Sequence, residues 1–229
     1  MVAHHGHGAV GSHKTCVSLV PIFNHLTDEE MTDISTLAKS RHYKKGEFIY
    51  RPDESSNSLY IINNGLVRIF NSTESGKEQL LRFLSPGDFT GEMALFRSAK
   101  HESFAEAVKD TTVCMLTQDD LQPLLVKYPA ISLKIMEEFS NRLEQSEKQT
   151  TLVATEKVEA RLAMFLVELL DRDATEVELP MTKKDLASYL GTTPETLSRK
   201  LGSLEDQGYI TQITNKRIRI KDVDGLLMI

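Results

Sequence analysis

Short apolar runs separated by turn residues occupy the first half of the chain. Turn sequences such as Asn-Asn-Gly at 63–65, Glu-Ser-Gly at 74–76 and Ser-Pro-Gly-Asp at 85–88 lie between the runs. Several short strands at this spacing predict a sandwich, roll or barrel, so we expect an all-β first domain. The predicted strands are residues 48–50, 59–62, 66–70, 79–84, 104–108 and 113–116.

After Pro129 the pattern becomes typical of helices. No glycine occurs between Gly91 and Gly191, and no proline between Pro129 and Pro180, which permits an uninterrupted helix. One stripe of side chains recurs at alternating steps of three and four. This stripe either packs on the chain's own β domain or forms a dimer interface. We favour the dimer interface because the residues that follow, 156–172, begin a second amphipathic helix that belongs to a separate domain. The stripe consists of Met136, Phe139, Leu143, Ser146, Thr150 and Val153, and its polar members predict a weak dimer.

Two short amphipathic helices joined by a glycine turn are predicted within residues 181–210. Thr182 can cap the first helix, and Gly191 can end it in the left-handed backbone conformation. Thr192 or Thr193 can cap the second helix. A helix, a short turn with glycine and a second helix form the helix-turn-helix motif. The apolar positions of the second helix are Leu197, Leu201 and Leu204.

The exposed face of the second helix carries side chains that can read DNA bases. Arg199 can donate two hydrogen bonds to guanine O6 and N7, while Glu195 can accept one from cytosine N4. Residues 209–213 and 217–221 alternate around a basic turn, which predicts a hairpin wing that touches phosphate. The predicted DNA-binding residues are Thr193, Glu195, Ser198, Arg199, Lys200, Lys216 and Arg217, and Ser203 lies on the same predicted face.

Charge supports a nucleic-acid partner only locally. The chain of 229 residues has a formal net charge of −6, which by itself does not indicate DNA binding. Residues 181–221 hold eight basic and four acidic side chains, a net charge of +4, so an acidic chain contains a basic module near its end. A winged helix of this charge can also bind protein, and that alternative stays open.

Composition narrows the class of protein. The hydrophobic fraction of 40% and charged fraction of 26% are typical of globular domains. No run approaches the ~18 apolar residues of a membrane span, and no leader pattern is present, so we expect a cytoplasmic protein without membrane contact. No Ser-His-Asp arrangement, P-loop or HExxH pattern occurs, so we expect no enzymatic activity.

The order of these elements resembles the bacterial CRP/FNR regulator family over residues 18–225. The resemblance rests on Pro-Gly-Asp-Phe at 86–89, Gly-Glu-Met-Ala-Leu-Phe at 91–96 and Glu-Thr-Leu-Ser-Arg at 195–199. It implies an α+β fold. The expected parts are a flexible N-terminal arm (1–17), a cyclic-nucleotide-binding-like β-roll sensor domain (18–128), a dimerisation helix (129–155) and a C-terminal winged helix-turn-helix DNA-binding domain (156–229).

The resemblance also implies a function. Members of the family regulate transcription as homodimers on palindromic double-stranded DNA and contact RNA polymerase, and a two-fold dimer suits such sites. The Glu-x-x-Ser-Arg pattern implies a TTGA-like half-site. Pro194 stands where CRP itself has an arginine, which favours the FNR branch. The rival hypotheses are a regulator switched by a small-molecule effector in the β-roll and a signalling module that does not bind DNA.

The resemblance identifies the β-roll positions that hold cAMP in the members that bind it. Glu92 matches the glutamate that holds the ribose, and Ser103 matches the serine, but Glu102 replaces the arginine that pairs with the phosphate. A carboxylate repels a phosphate. We therefore expect no cAMP binding and interpret Gly91 and Glu92 as retained structural residues.

The chain contains two cysteines, Cys16 and Cys114. FNR holds an iron–sulfur cluster with four cysteines, so we expect no such cluster here. Both cysteines match family ligand positions, and the resemblance to the two-cysteine FNR-like (Flp) group implies a reversible Cys16–Cys114 disulfide that senses redox state. The alternative is that Cys114 is a small core residue and Cys16 an idle thiol.

An N-terminal histidine cluster is a weak candidate for zinc or copper binding. Flexible His-rich arms bind metal unspecifically, so we expect no physiological cofactor. The cluster comprises His4, His5, His7 and His13.

Overall fold

The computed structural model describes residues 17–74, 76, 78–96, 99–171 and 174–229. The chain separates into two compact units. The first unit consists of Met1–Lys77 and Leu81–Asn141, and the second consists of Glu78–Leu80 and Arg142–Ile229. Strands dominate the first unit, while the second combines helices with a small sheet. The predicted α+β class is confirmed. None of the described helices is long and apolar enough to cross a lipid bilayer.

The β-rich unit contains strands at every position where the apolar runs predict one. Its helices are α1 (Asp28–Leu37), α2 (Gln118–Lys127) and the long α3 (Pro129–Thr155), which runs on into the second unit. The strands are β1 (Lys39–Tyr43), β2 (Phe48–Tyr50), β3 (Ser55–Ser56), β4 (Ser58–Asn64), β5 (Val67–Ser72), β6 (Glu78–Leu84), β7 (Phe89–Thr90), β8 (Ala99–Lys100), β9 (Phe104–Ala107) and β10 (Thr111–Thr117).

Sheets with the strand orders β1-β10-β4-β7 and β2-β9-β5-β6 build the roll. Alternate side chains of β10 enter different apolar clusters because successive residues of a strand point to opposite faces. Val113 joins a cluster made of residues from both sheets. Cys114 and Leu116 join a cluster that also contains residues of α1, α2 and α3. Val17 is fully buried in that second cluster, so the packed part of the chain includes a residue that we assigned to the arm.

Helix α3 has one face in the core and another in solvent. Ile131 and Ile135 are buried in the cluster that contains Cys114. Met136 and Leu143, two members of the predicted stripe, are 58% and 60% exposed. Only Phe139 of the stripe packs partly against the core. The alternative in which the stripe packs on its own β domain is therefore wrong for most of its length.

The second unit is a small helical domain with a three-strand sheet in the order β11-β13-β12 among its described residues. Its apolar core includes Leu162, Leu166, Leu197 and Ile218, all of them fully buried. After the C-terminal part of α3, its elements are α4 (Val158–Glu168), β11 (Glu176–Glu178), α5 (Lys183–Tyr189), α6 (Pro194–Asp206), β12 (Ile210–Gln212), β13 (Arg217–Ile220) and α7 (Val223–Leu227).

Candidate nucleic-acid interface

The turn between α5 and α6 is built by local signals in the sequence. The Thr182 hydroxyl accepts a hydrogen bond from the backbone N–H of Asp185 and caps α5. Gly191 follows with φ of +67°, a conformation that glycine adopts without strain. The Thr193 hydroxyl caps α6 by accepting from the backbone N–H of Thr196 at 3.2 Å. The predicted helix-turn-helix is confirmed, with Thr193 as the second cap.

Helix α6 presents an apolar face to the domain and a polar face to solvent. Leu197, Leu201 and Leu204 are fully buried. Glu195 and Arg199 lie one helical turn apart and are both exposed. Ser198, also exposed, lies between them in sequence. A carboxylate, a hydroxyl and a guanidinium therefore share one accessible surface near the start of a helix.

Local polar groups act on the two charged side chains of this surface. The Arg199 guanidinium donates from Nη2 to the Thr196 hydroxyl at 3.1 Å. The backbone N–H of Glu195 and the Thr193 side chain, which can donate to the Glu195 carboxylate, hold the pKa of this carboxyl below the usual value. The Glu195 side chain is therefore an ionised acceptor at neutral pH. Sequence reasoning missed Thr196, although its position three residues before Arg199 on a helix is the signal for such a contact.

Lys200 does not lie on this surface. Its Nζ donates to the Glu159 carboxylate of α4 at 2.7 Å, and Ser203 donates to the same carboxylate at 2.9 Å. Lys200 follows Arg199 by one residue, which turns it by ~100° around the helix toward α4. Ser203 is half-buried and not on the solvent-facing surface that we expected. Lys200, a predicted DNA contact, is engaged with Glu159, so both side chains join α6 to α4.

The predicted wing is present as the β12–β13 hairpin. The Thr214 hydroxyl organises its tip by accepting from the backbone N–H groups of Lys216 at 3.2 Å and Arg217 at 2.9 Å. The side chains of Lys216 and Arg217 are exposed there. Arg219 instead pairs with Glu176 on β11 at 2.7 Å. The +4 charge of residues 181–221 is therefore partly neutralised by Glu159 and Glu176, which lie outside that window.

Comparisons with known proteins agree with this architecture. A model of the cyclic nucleotide-binding domain matches residues 40–128, and a model of the Crp-like helix-turn-helix domain matches residues 160–229. The chain is 33% identical over 213 residues to the probable transcriptional regulator flp of Lacticaseibacillus casei, covering 93% of this chain and 96% of that protein.

Solved structures show the same likeness. FixK2 from Bradyrhizobium japonicum aligns with 30% identity and a TM-score of 0.69, covering 82% of this chain and 95% of that one. A transcriptional regulator of the CRP/FNR family from Thermus thermophilus aligns with 29% identity and a TM-score of 0.62, covering 82% and 96%. The chain belongs to the CRP/FNR family. It is a DNA-binding transcriptional regulator of the CRP/FNR type, and the hypothesis of a signalling module without DNA is not favoured.

One of the nucleotide-site positions of this CRP/FNR regulator, Glu92, is engaged in an ion pair within the chain. Glu92 pairs with Nη2 of Arg82, a residue of β6, at 3.5 Å. Gly91 has φ of +83°, and a Cβ there would lie 2.4 Å from the Ser58 carbonyl oxygen, so the turn requires glycine. Glu102 is exposed and Ser103 is half-buried.

An aromatic stack lies next to these positions. The rings of Tyr50 and His101 are parallel with centroids 3.7 Å apart, and the Tyr50 hydroxyl and Thr90 Oγ1 are hydrogen-bonded at 2.7 Å. Burial lowers the pKa of His101, so its imidazole is neutral at physiological pH. The site therefore carries a carboxylate with an arginine partner and a neutral aromatic stack.

Some of the cysteine and histidine residues named in the predictions lie outside the described residues. Cys114 of this CRP/FNR regulator is fully buried in β10 and is disulfide-bonded. Cys16 lies outside the described residues, as do the N-terminal histidines His4, His5, His7 and His13. Within the part of the chain that the structure describes, no group of three metal-ligating His, Cys, Asp or Glu side chains occurs.

Proposed function

We propose that α6 reads a TTGA-like half-site through Glu195, Ser198 and Arg199. The observation that carries the proposal is the shared exposure of Glu195 and Arg199 at a spacing of one turn. A guanidinium that donates to guanine and a carboxylate that accepts from cytosine can together select one G·C pair. Arg199 uses one donor on Thr196, and a guanidinium has four more N–H groups for a base.

Phosphate contacts by Thr193, Lys216 and Arg217 complete the proposed interface. Thr193 begins α6, where the helix dipole and backbone N–H groups favour an anion. Lys216 and Arg217 are exposed at the wing tip, and phosphate contacts of this kind set the register of the protein on DNA. Lys200 is not assigned to DNA because its ammonium group pairs with Glu159.

The regulator acts as a homodimer through α3 in this proposal. Support comes from the exposed apolar side chains of Leu133, Met136 and Leu143 along one helix. Large exposed side chains in a row indicate a surface that a partner covers. Two copies related by a two-fold axis would place two α6 helices on a palindromic site. RNA polymerase is the further partner expected from family membership.

A Cys16–Cys114 disulfide is the redox switch in this proposal. Cys114 is disulfide-bonded, and the sequence contains one other cysteine, Cys16. Val17, its neighbour in sequence, is buried in the same apolar cluster as Cys114. Reduction would break a covalent link beside a cluster that includes Ile131 and Ile135 of α3, which connects the thiols to the dimerisation helix.

The second candidate is control by a small effector in the β-roll. The match to a cyclic nucleotide-binding domain favours this candidate, yet Glu102 stands where a phosphate-binding arginine is needed and Arg82 already neutralises Glu92. Cyclic AMP is therefore expected not to bind. Calorimetry with cAMP and cGMP tests this expectation, and micromolar binding of either nucleotide would contradict it.

The proposed base recognition is tested by binding to a labelled TTGA-N6-TCAA duplex. We expect tight, salt-dependent binding to this duplex and weaker binding to one in which the G·C pair of each half-site is inverted. The same titrations with reduced and oxidised protein, accompanied by free-thiol counts, test the redox proposal separately. Equal affinity for both duplexes would contradict base reading, and equal affinity in both redox states would contradict the switch.

A further inference from the structure

A cavity of about 480 Å³ opens between the end of β1 and the two ends of β2. All of its walls come from residues 41–54 of the β-rich unit. Glu92 and Ser103 do not line it, but Tyr50 of the aromatic stack does, so the cavity adjoins the nucleotide-site positions of the family without including those two residues. Its volume lies within the range of pockets that hold small molecules.

A buried phenol whose proton has no acceptor among the described residues lines this cavity. Tyr43 is 3% exposed. The Arg41 guanidinium lies close enough to its hydroxyl to act on it as a donor, but no acceptor for the hydroxyl proton lies within hydrogen-bond geometry among the described residues. Burial raises the pKa of Tyr43, so the hydroxyl keeps its proton and can donate. A buried hydroxyl proton without an acceptor is costly in a native structure. A ligand that reaches Tyr43 would remove this cost.

Two guanidinium groups at the cavity lie over aromatic rings. Arg41 stacks over the Tyr43 ring at 5.1 Å from its centroid, and Arg51 over the Phe48 ring at 4.4 Å. Neither guanidinium pairs with a carboxylate of the described residues. A guanidinium held over an aromatic ring can still direct N–H donors to an anion.

Two carboxylates on the same walls are held by backbone N–H groups. Glu47 accepts from the backbone N–H of Lys44 at 2.8 Å, and Glu54 accepts from that of Arg51 at 3.1 Å. Both carboxylates lie near enough to the Tyr43 hydroxyl to raise its pKa, while Arg41 lowers it. The phenol is thus close to fixed charges of both signs.

We propose that this cavity binds a small zwitterion of the α-amino acid class. The carboxylate of the ligand would pair with Arg41 and Arg51 and accept from the Tyr43 hydroxyl. Its ammonium group would face Glu47 and Glu54. A ligand with a single charge fits less well, because it would leave one pair of wall charges unpaired and bring its own charge near a like charge.

The proposal is tested on the full-length protein without DNA. Each of the twenty common L-amino acids is added at roughly 10 mM in a thermal-shift assay, and any that raises Tm is measured by calorimetry, with acetate and methylammonium as single-charge probes. At least one amino acid should bind with a Kd below about 1 mM, a modest affinity for a ligand of this size. The single-charge probes should bind at least about tenfold more weakly.

Variants decide whether binding occurs in this cavity. Tyr43→Phe should weaken binding about tenfold because one buried hydrogen bond is lost. Lys45→Gln, an exposed change on the same turn that does not line the cavity, should leave affinity unchanged. Arg51→Gln, at an exposed side chain, should also weaken binding, and it replaces Tyr43→Phe as the test variant if Tyr43→Phe does not fold. The proposal is overturned if no amino acid binds, if acetate binds equally well, or if both cavity variants bind like wild type.

Discussion

Glu205, in the last turn of α6, holds Gln212 on the wing with both oxygens of its carboxylate. Oε1 accepts the backbone N–H of Gln212 at 2.9 Å, and Oε2 accepts its side-chain Nε2 at 3.0 Å. Lys183 of α5 donates to the amide oxygen of Gln212 at 2.8 Å. These contacts connect both helices of the motif to the wing, so the position of the wing tip depends on Glu205.

Glu205→Ala is therefore expected to weaken DNA binding without changing base preference. The wing contacts phosphate in our proposal, and phosphate contacts contribute affinity and salt dependence rather than specificity. We expect the slope of log K against log salt to fall by about 1–2, with the preference for TTGA over the inverted duplex unchanged. Asp206→Ala, an exposed neighbour, is the matched control. A loss of base preference in Glu205→Ala would show that this carboxylate acts on α6 itself.

Arg199→Ala, unlike Glu205→Ala, is expected to reduce the preference for the TTGA duplex over the inverted duplex. Removing a bidentate contact to guanine should cost about 1–3 kcal/mol on the TTGA duplex and much less on the inverted one. The difference is measured by fluorescence anisotropy with both duplexes at one salt concentration. Lys200→Ala is the control, because its ammonium group pairs with Glu159 rather than facing solvent beside Arg199. If the Lys200 variant lost base preference and the Arg199 variant kept it, our assignment of the reading face would be wrong.

The contrast between Arg199 and Lys200 shows what sequence can predict of this site. Four features depend on neighbours within four residues, and the sequence predicts them: the cap Thr182, a second cap at Thr192 or Thr193, the turn at Gly191 and the buried leucines of α6. The orientation of Lys200 depends on Glu159, which is 41 residues away in the chain. No local pattern in α6 contains that partner, so a count of charge over 181–221 overstates the free positive charge.

The fold shows the same division between local and distant causes. Strand β1, with the sequence Lys-Ser-Arg-His-Tyr, was not predicted because four of its five residues are exposed and polar. Only pairing with β10 makes it a strand. Helices α1 and α2 did carry a usable signal that sequence reasoning missed. Each begins with a capping box, Thr27 with Glu30 and Thr117 with Asp120.

Glu159 should make the stability of the DNA-binding domain depend on pH. The hydrogen bond from Lys200, followed by that from Ser203, lowers the pKa of the Glu159 carboxyl. A carboxyl with a lowered folded-state pKa contributes stability above its unfolded pKa of about 4.3 and loses this contribution as pH falls through the folded value. Glu159→Gln should therefore reduce the free energy of unfolding by about 1 kcal/mol at pH 7.

The difference between wild type and Glu159→Gln should shrink below about pH 4. Urea unfolding from pH 7 to pH 3 measures it, and Glu156→Gln, at an exposed side chain just before α4, controls for the change of net charge. A destabilisation that stayed constant down to pH 3 would indicate lost packing rather than a lost charge.

Replacing Cys114 should abolish the redox response while leaving the fold intact. Wild type should show two reactive thiols after reduction and unfolding and none after mild oxidation, and its DNA affinity should differ by about fivefold or more between the two states. Cys114→Ala should show the same affinity in both states. Because Cys114 is fully buried, we expect the Cys114→Ala substitution to lower the free energy of unfolding of the reduced protein by about 1 kcal/mol. Alanine is preferred to serine because Cys114→Ser would also bury a new hydroxyl.

Cys16→Ala provides the matched variant for the redox prediction. It should remove the redox response to the same extent as Cys114→Ala, since a disulfide needs both sulfurs. A response that persisted in either variant would show that another group senses the oxidant.

A charge on the exposed stripe of α3 should prevent dimerisation. Leu143 is 60% exposed at the middle of this stripe, and in a two-fold dimer Leu143→Glu would bring two carboxylates to one apolar seam. Sedimentation velocity should show a shift from dimer to monomer, and affinity for the palindrome should fall because each half-site then binds independently. Val126→Glu, at a side chain 83% exposed on α2, is the control and should leave the dimer intact. If Leu143→Glu remained dimeric while Val126→Glu dissociated, the interface would lie on the α2 surface instead.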